Sequence, residues 1–150
     1  MEVPLGLVRW TAARARRLDR AFGAAWALAA AAILVLTLWP PDAFRAHGHW
    51  ERISWVPFAD PWGKPWELVA NVLLFAPFGY LGTRALGAGR RAALAVALCG
   101  LALSLAVETA QIFAHDHFPS ATDVVANLLG AGAGAAVAAR RGGRGGRRAA

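Results

Sequence analysis

Cysteine is almost missing from this 150-residue chain: there is one, Cys99, inside an apolar run. A single thiol excludes an intrachain disulfide framework and a cysteine zinc cluster. Lysine is equally scarce, with Lys64 alone beside 15 arginines, and acids number nine. The net charge is therefore +7 although only 17% of the residues are charged. The chain also lacks a P-loop, a dinucleotide fingerprint and a zinc-protease helix. It has no internal repeat and no second-domain boundary, and its length allows one domain. What it has in quantity is apolar side chain, 57% of the residues before the 16 glycines are added. A soluble domain reaches roughly 45–50% with glycine included, so an ordinary soluble enzyme is disfavoured. The chain is either a membrane protein with basic flanks or a basic nucleic-acid binder, and the placement of its charges decides which.

A bilayer core about 30 Å thick takes roughly 20 mostly apolar residues to cross as a helix. Four stretches qualify, at about residues 21–39, 66–86, 92–113 and 122–139, which predicts an all-α integral membrane bundle of four transmembrane helices. Thirteen basic residues precede the first span, lie around the 84–91 turn or follow the fourth span, whereas the other two connections hold only Arg45, Arg52 and Lys64. By the positive-inside rule both termini are cytoplasmic, in a multi-pass protein of the cytoplasmic (inner) membrane. The organisation is then a basic N-terminal segment 1–20, a transmembrane domain 21–139 with an outer interfacial loop 40–65, and a basic Gly/Arg tail 140–150. The first apolar run, 19 residues long, exceeds the usual h-region of a cleaved signal peptide. Directly after a membrane helix, the Gly/Arg tail reads as a topology signal and an anionic-lipid contact, and no nucleic-acid partner is expected.

This topology turns sequence positions into depths. Asn71, Glu108 and Asn127 come from three helices and fall at a similar depth below the outer surface. Ser104, Glu108, Gln111 and His115 form one helical stripe, and Asp123, Asn127, Gly130 and Gly134 form another. Gly130 to Gly134 is a G-x-x-x-G step that admits a close neighbour, so the polar and packing stripes of the fourth helix coincide. A carboxylate at the centre of a membrane helix costs on the order of 3 kcal/mol, which predicts that Glu108 is protonated, open to an outward cavity, or hydrogen-bonded by Asn71, Gln111 or Asn127. Two uses fit these residues: interhelical hydrogen bonds that hold the bundle, or an outward-facing pocket of Asn71, Glu108, Gln111, Asp123 and Asn127. Glu67 and His117 fall at its rim, and Trp55, Phe58 and Trp62 suit either an interfacial cover or a plain aromatic belt. Pro77 predicts a kink or break in the second helix near residues 73–77, and Gly79 permits a close neighbour there.

Val56-Pro57-Phe58, Asn71-Val-Leu-Leu-Phe-Ala-Pro-Phe-Gly79, Glu108-Thr-Ala-Gln111 and Asp123-Val-Val-Ala-Asn-Leu-Leu-Gly130 with Gly134 occur in that order. In these the chain resembles the VanZ-like membrane protein family over residues 52–138. The resemblance implies a small multi-helix membrane protein with a cell-envelope role, after the family member associated with resistance to the glycopeptide teicoplanin. It brings no established reaction. The family often carries an arginine shortly before the acidic residue of the last helix, and here His117 stands in that stretch.

Two His-x-His pairs, His47 with His49 and His115 with His117, supply ligand types suited to zinc or copper. The family pattern does not include them, and neither a metal site nor any other cofactor is expected. No nucleophile has a base at suitable spacing, so no catalytic residue is assigned. The leading expectation is a pocket for an envelope lipid, a lipid-linked precursor or another amphiphile. Its rivals are a structural membrane protein that docks a membrane-protein partner and, more weakly, a lipid-modifying enzyme using Glu108 and Asp123 as acid and base.

Overall fold

The computed structural model describes the backbone of residues 5–59 and 64–146, and the side chains of 16–59 and 64–142. Its helices are α1 (Leu5–Leu38), α2 (Pro65–Ala85), α3 (Arg90–Gln111) and α4 (Ala121–Gly146), with short 3-10 turns at Pro41–Ala43 and Trp50–Arg52. Among the described residues there is no strand, and all four helices are long and apolar enough to cross a membrane. The protein is an all-α four-helix bundle.

Helix ends differ from the sequence expectation mainly at the termini. The first helix begins near residue 5 rather than 21, because the Arg-, Ala- and Leu-rich stretch before the apolar run is made of strong helix formers. Its apolar span is Arg16–Leu38. The last helix likewise runs past residue 139 to Gly146, its apolar span closing at Gly142. Pro77 does not break α2, which is helical from Pro65 to Ala85. Proline removes one backbone donor, and the hydrogen bonds on either side of it, together with the α4 contacts described next, carry the helix through.

α2 and α4 run in the same direction and touch backbone to backbone. A Cβ built on Gly79 would lie 1.9 Å from the carbonyl oxygen of Ala131; one on Gly130 would lie 2.3 Å from that of Val72, and one on Gly134 2.0 Å from that of Ala76. Only glycine allows this approach. Around the seam sit Phe75, Phe78, Ala131, Val96 and Val107 as the buried core, with Ile33 of α1 closing it. The α2–α3 turn uses the left-handed backbone at Gly87 (φ 97°), and Ala88 takes φ 55° while its N–H donates to Thr83 O at 2.7 Å. Gly142 of α4 abuts Ala88, which brings the end of α4 to that turn.

At the opposite end two connections are stitched together. Phe44 pairs with Ala114 and Ser54 with Ser120 as isolated β-bridges. Arg45 N–H donates to Phe113 O at 2.7 Å, His49 N–H to Ile112 O at 2.8 Å, and Ala121 N–H to Ser54 O at 2.9 Å. The long connection after α1 is thereby a fixed platform against the α3–α4 connection. Trp39, Trp50, Trp55, Val56, Phe58 and Trp66 stand exposed around this loop end.

Candidate functional site

Both α2 and α4 begin at the loop end, and each start recruits a carboxylate. Helix N-termini leave backbone N–H groups unpaired and carry a partial positive charge, so acidic side chains are favoured there. In α2, Glu67 Oε2 accepts from Lys64 N–H at 3.0 Å while Lys64 Nζ lies 4.0 Å from Glu67 Oε1. In α4, Ser120 Oγ accepts from Thr122 N–H at 3.1 Å, and the Ser120 N–H itself donates to Glu108 Oε2 at 2.9 Å. Asp123 lies in the first turn of the same helix.

Between these helix starts, the end of α1 and the α3–α4 connection is a cleft of about 570 Å³. Its polar wall is Lys64, Glu67, Asn71, Gln111, Asp116, His117 and Asp123, and its apolar wall is Leu36, Ala70, Trp66 and Phe118 with Thr37. Asn71 Nδ2 donates to Asp123 Oδ1 at 2.7 Å, which ties α2 to α4. Gln111 Nε2 donates to the Thr37 carbonyl at 2.8 Å, which ties α3 to α1. Lys64 Nζ lies 5.8 Å from the centre of the Trp66 ring. A smaller depression of about 250 Å³ adjoins the cleft and shares Lys64, Glu67 and Asp123 with it, its far side formed by Phe58, Pro65, Leu68 and Thr122. Phe58 has a left-handed backbone (φ 64°), uncommon for a bulky residue, and its N–H donates to Thr122 Oγ1 at 2.8 Å.

Glu108 and Asn127 do not line this cleft. They lie behind it, 9% and 2% exposed. None of Asn71, Gln111 and Asn127 hydrogen-bonds Glu108; its partner is the Ser120 backbone. Asn127 Nδ2 donates to Ser104 Oγ at 2.9 Å, one turn deeper, and its Oδ1 is buried without a partner. The five residues expected to form one pocket thus divide: Asn71, Gln111 and Asp123 face the cleft, and Glu108 and Asn127 join helices beneath it. Of the expected rim, Glu67 and His117 line the cleft and Phe58 the adjoining depression. Trp55 is exposed and lines neither, and Trp62 lies outside the described residues.

The histidine pairs also divide. His47, His49 and His115 meet edge to face in sequence, ring centres 4.9 and 5.3 Å apart, whereas His117 turns to the cleft. No described group of three His, Cys, Asp or Glu side chains has an arrangement able to hold a metal ion. Beside these rings, Glu51 is held below the ordinary carboxylate range by its own backbone N–H and, in addition, by His49 and Arg52. Arg52 donates to the His115 carbonyl and lies 5.6 Å from the centre of the Phe118 ring. A permanent cation therefore reaches the stretch where the family often has arginine, from a different connection.

The sequence pattern of the VanZ/LLP1 family matches residues 22–141. The chain belongs to the VanZ/LLP1 family. No curated protein and no solved structure matches it. The match takes in all four apolar spans except residues 16–21 of the first and Gly142 of the last, and with them both walls of the cleft. This VanZ/LLP1 protein is a multi-pass membrane protein.

Sequence reasoning passed over Ser120, Thr37, Thr122 and Lys64. Ser120-Ala-Thr-Asp123 is a Ser-x-x-Asp start signal before an apolar run and marks Ser120 as the cap of α4. Thr37 contributes through its backbone carbonyl and carries no such signal.

Proposed function

We propose that this VanZ/LLP1 protein resides in the cytoplasmic membrane with both termini inside, and that its cleft opens on the outer side to bind the polar head of an envelope amphiphile. That ligand is a lipid, a lipid-linked precursor or the lipid-bearing part of a glycopeptide, and its capture contributes to envelope homeostasis or to teicoplanin-type resistance. One observation carries the reading: the cleft has a polar wall and an apolar wall, and the apolar wall includes Leu36 and Trp66, which are exposed on the outside of the bundle. A lipid can enter such a cleft sideways, its head meeting Asn71, Gln111 and Asp123 while its first acyl carbons stay on Leu36, Ala70 and Trp66. Capture of this kind uses hydrogen bonds to orient the head and apolar contact for affinity.

A test is teicoplanin susceptibility and envelope lipid composition in a host expressing wild type, Asn71→Leu or Gln111→Leu at equal levels. Reduced susceptibility with wild type and its loss in the cleft variants supports the reading; identical responses from all three oppose it.

A structural role in the bundle, with docking of a membrane-protein partner, is a second reading. It is favoured by Glu108 and Asn127, whose bonds to Ser120 and Ser104 join the α3 side to the α4 side away from the cleft. The two readings share Asn71 and Gln111, which both line the cleft and tie helices, and part at Glu108 and Asn127: on the structural reading the loss of their buried bonds costs stability and function together, and on the binding reading it leaves the cleft's ligand in place as long as the bundle folds.

A further inference from the structure

A second site lies at the other end of the bundle. Because α2 and α4 run side by side in one direction, the stripes they present on one side can be followed together. On α2, Leu73, Pro77 and Tyr80 come one turn after another, and on α4 Ala133 and Val137 do the same. Between the stripes is a groove of about 500 Å³, with Gly134 of the glycine seam in its floor. Its lining is apolar apart from the Tyr80 hydroxyl, and neither α1 nor α3 contributes to it. From Leu73 to Tyr80 the groove runs about 10 Å at 1.5 Å per residue, most of the roughly 15 Å depth of one leaflet's hydrocarbon. In a membrane protein, an apolar groove on the outside of the bundle is filled by lipid or by another helix.

One turn further on, both stripes reach an arginine, Arg84 on α2 and Arg141 on α4. The two guanidinium groups part. Arg84 lies over the Phe22 ring of α1, 5.0 Å from its centre, with its Nε buried. Arg141 lies over the ring of Tyr80, 5.9 Å from its centre, and so stands at the end of the groove that Tyr80 lines. The wider charge balance has the same sign. No acid occurs between Arg84 and Val107 or after Asp123, and only Glu2 and Asp19 accompany the thirteen basic residues that flank the spans at this end.

We propose that this groove is a binding site for an anionic phospholipid, one acyl chain lying along the α2–α4 seam and the phosphate meeting Arg141. The site is distinct from the cleft and does not depend on how the cleft is used. A guanidinium can donate two parallel N–H bonds to a phosphate, and a ring contact on its face leaves those edge donors available. A zwitterionic phospholipid fills the apolar groove equally well but brings no net charge, so charge selects among lipids with the same chains. A second copy of the chain fits worse, because two copies in one membrane share an orientation and would set one basic end beside another. The groove is open along its length, so its lipid exchanges and is read at equilibrium with added lipid, not by resistance to delipidation.

The test is native mass spectrometry of the full chain, delipidated and then equilibrated with equal amounts of dioleoyl phosphatidylglycerol, phosphatidylethanolamine and phosphatidylcholine. The expected result is a preference of at least about fivefold for the glycerol lipid over either zwitterionic lipid, since an arginine near an anionic headgroup is worth about that factor. Arg141→Gln, an exposed change, should lower the preference about fivefold, and Ala133→Phe, which fills the groove from an exposed position, should lower binding of the glycerol lipid. Arg90→Gln, exposed at the start of α3 and outside the groove, and Asn71→Leu in the cleft should each leave the preference within about twofold. Should Ala133→Phe fail to fold, Arg141→Gln against Arg90→Gln still decides. An equal fall in Arg90→Gln and Arg141→Gln would reduce the effect to a general basic surface and overturn the site. Loss of the preference in Asn71→Leu would assign the lipid to the cleft and overturn it too. A preference that neither Arg141→Gln nor Ala133→Phe alters, or a change from dimer to monomer in Ala133→Phe with lipid binding unchanged, would likewise overturn it.

Discussion

The α2–α4 seam makes a sharp prediction, because four glycines of one region face different surroundings. A Cβ at Gly134 would lie 2.0 Å from the Ala76 oxygen, and one at Gly79 1.9 Å from the Ala131 oxygen. A carbon and a carbonyl oxygen in close but comfortable contact are about 3.3–3.6 Å apart. Gly134→Ala therefore forces the helices about 1.3–1.6 Å apart along that contact. Overpacking of this kind costs about 1–3 kcal/mol, and the separation also loosens the packing around Phe75 and Phe78. Gly132 stands two residues away with nothing within 4 Å of a built Cβ. Gly132→Ala adds no clash and relieves the helix-interior cost of glycine, about 0.5–1 kcal/mol. Thermal unfolding of purified protein in one detergent reads both changes, at about 2–4 °C per kcal/mol for a chain of this size. Gly79→Ala, Gly130→Ala and Gly134→Ala should each lower the midpoint by several degrees, and Gly132→Ala should leave it unchanged or raise it. If Gly132→Ala and Gly134→Ala shift the midpoint alike, the seam is not where the structure has it.

Other perturbations test the buried polar pairs and the topology. Glu108→Leu strands the Ser120 N–H in a buried place and should cost about 1–3 kcal/mol, whereas Glu108→Gln keeps an acceptor and should cost less; detergent unfolding separates them. Asn127→Leu leaves Ser104 without its partner and lowers stability, and adding Ser104→Ala should recover much of the loss, because replacing both partners removes the unmet hydrogen bond. With Cys99→Ser as background, a cysteine at the exposed Ala46 should react with a membrane-impermeant maleimide on intact cells and one at the exposed Gly89 only after permeabilisation, and the reverse pattern would invert the proposed orientation.

Much of the fold was readable because membrane helices announce themselves by length and apolarity, and the G-x-x-x-G step at Gly130 and Gly134 carries its own geometric meaning. The helix ends were less readable at the two termini. The apolar run reports where a helix can sit in a bilayer, whereas the helix itself continues as long as the residues favour it, as it does from Leu5 to Arg16. The polar residues show the limit more clearly. Depth and helical face put Asn71, Glu108 and Asn127 at one level, and both quantities are properties of a single helix. Which side chains meet depends on how the helices are offset and rotated against one another. That offset pairs Asn71 with Asp123, lowers Asn127 to Ser104 and hands Glu108 to the backbone of Ser120. Contributions from backbone carbonyls, such as Thr37 to Gln111, leave no trace in side-chain patterning.

The most direct measurement of the central claim is the number of lipid molecules that stay with the protein through exhaustive delipidation, counted by quantitative lipid analysis for wild type, Asn71→Leu and Leu98→Ala. Leu98 is an exposed residue on α3 away from the cleft and reports ordinary annular lipid. A cleft that binds a headgroup predicts about one retained lipid per chain for wild type and Leu98→Ala and a large loss for Asn71→Leu. Equal retention by all three proteins would contradict it.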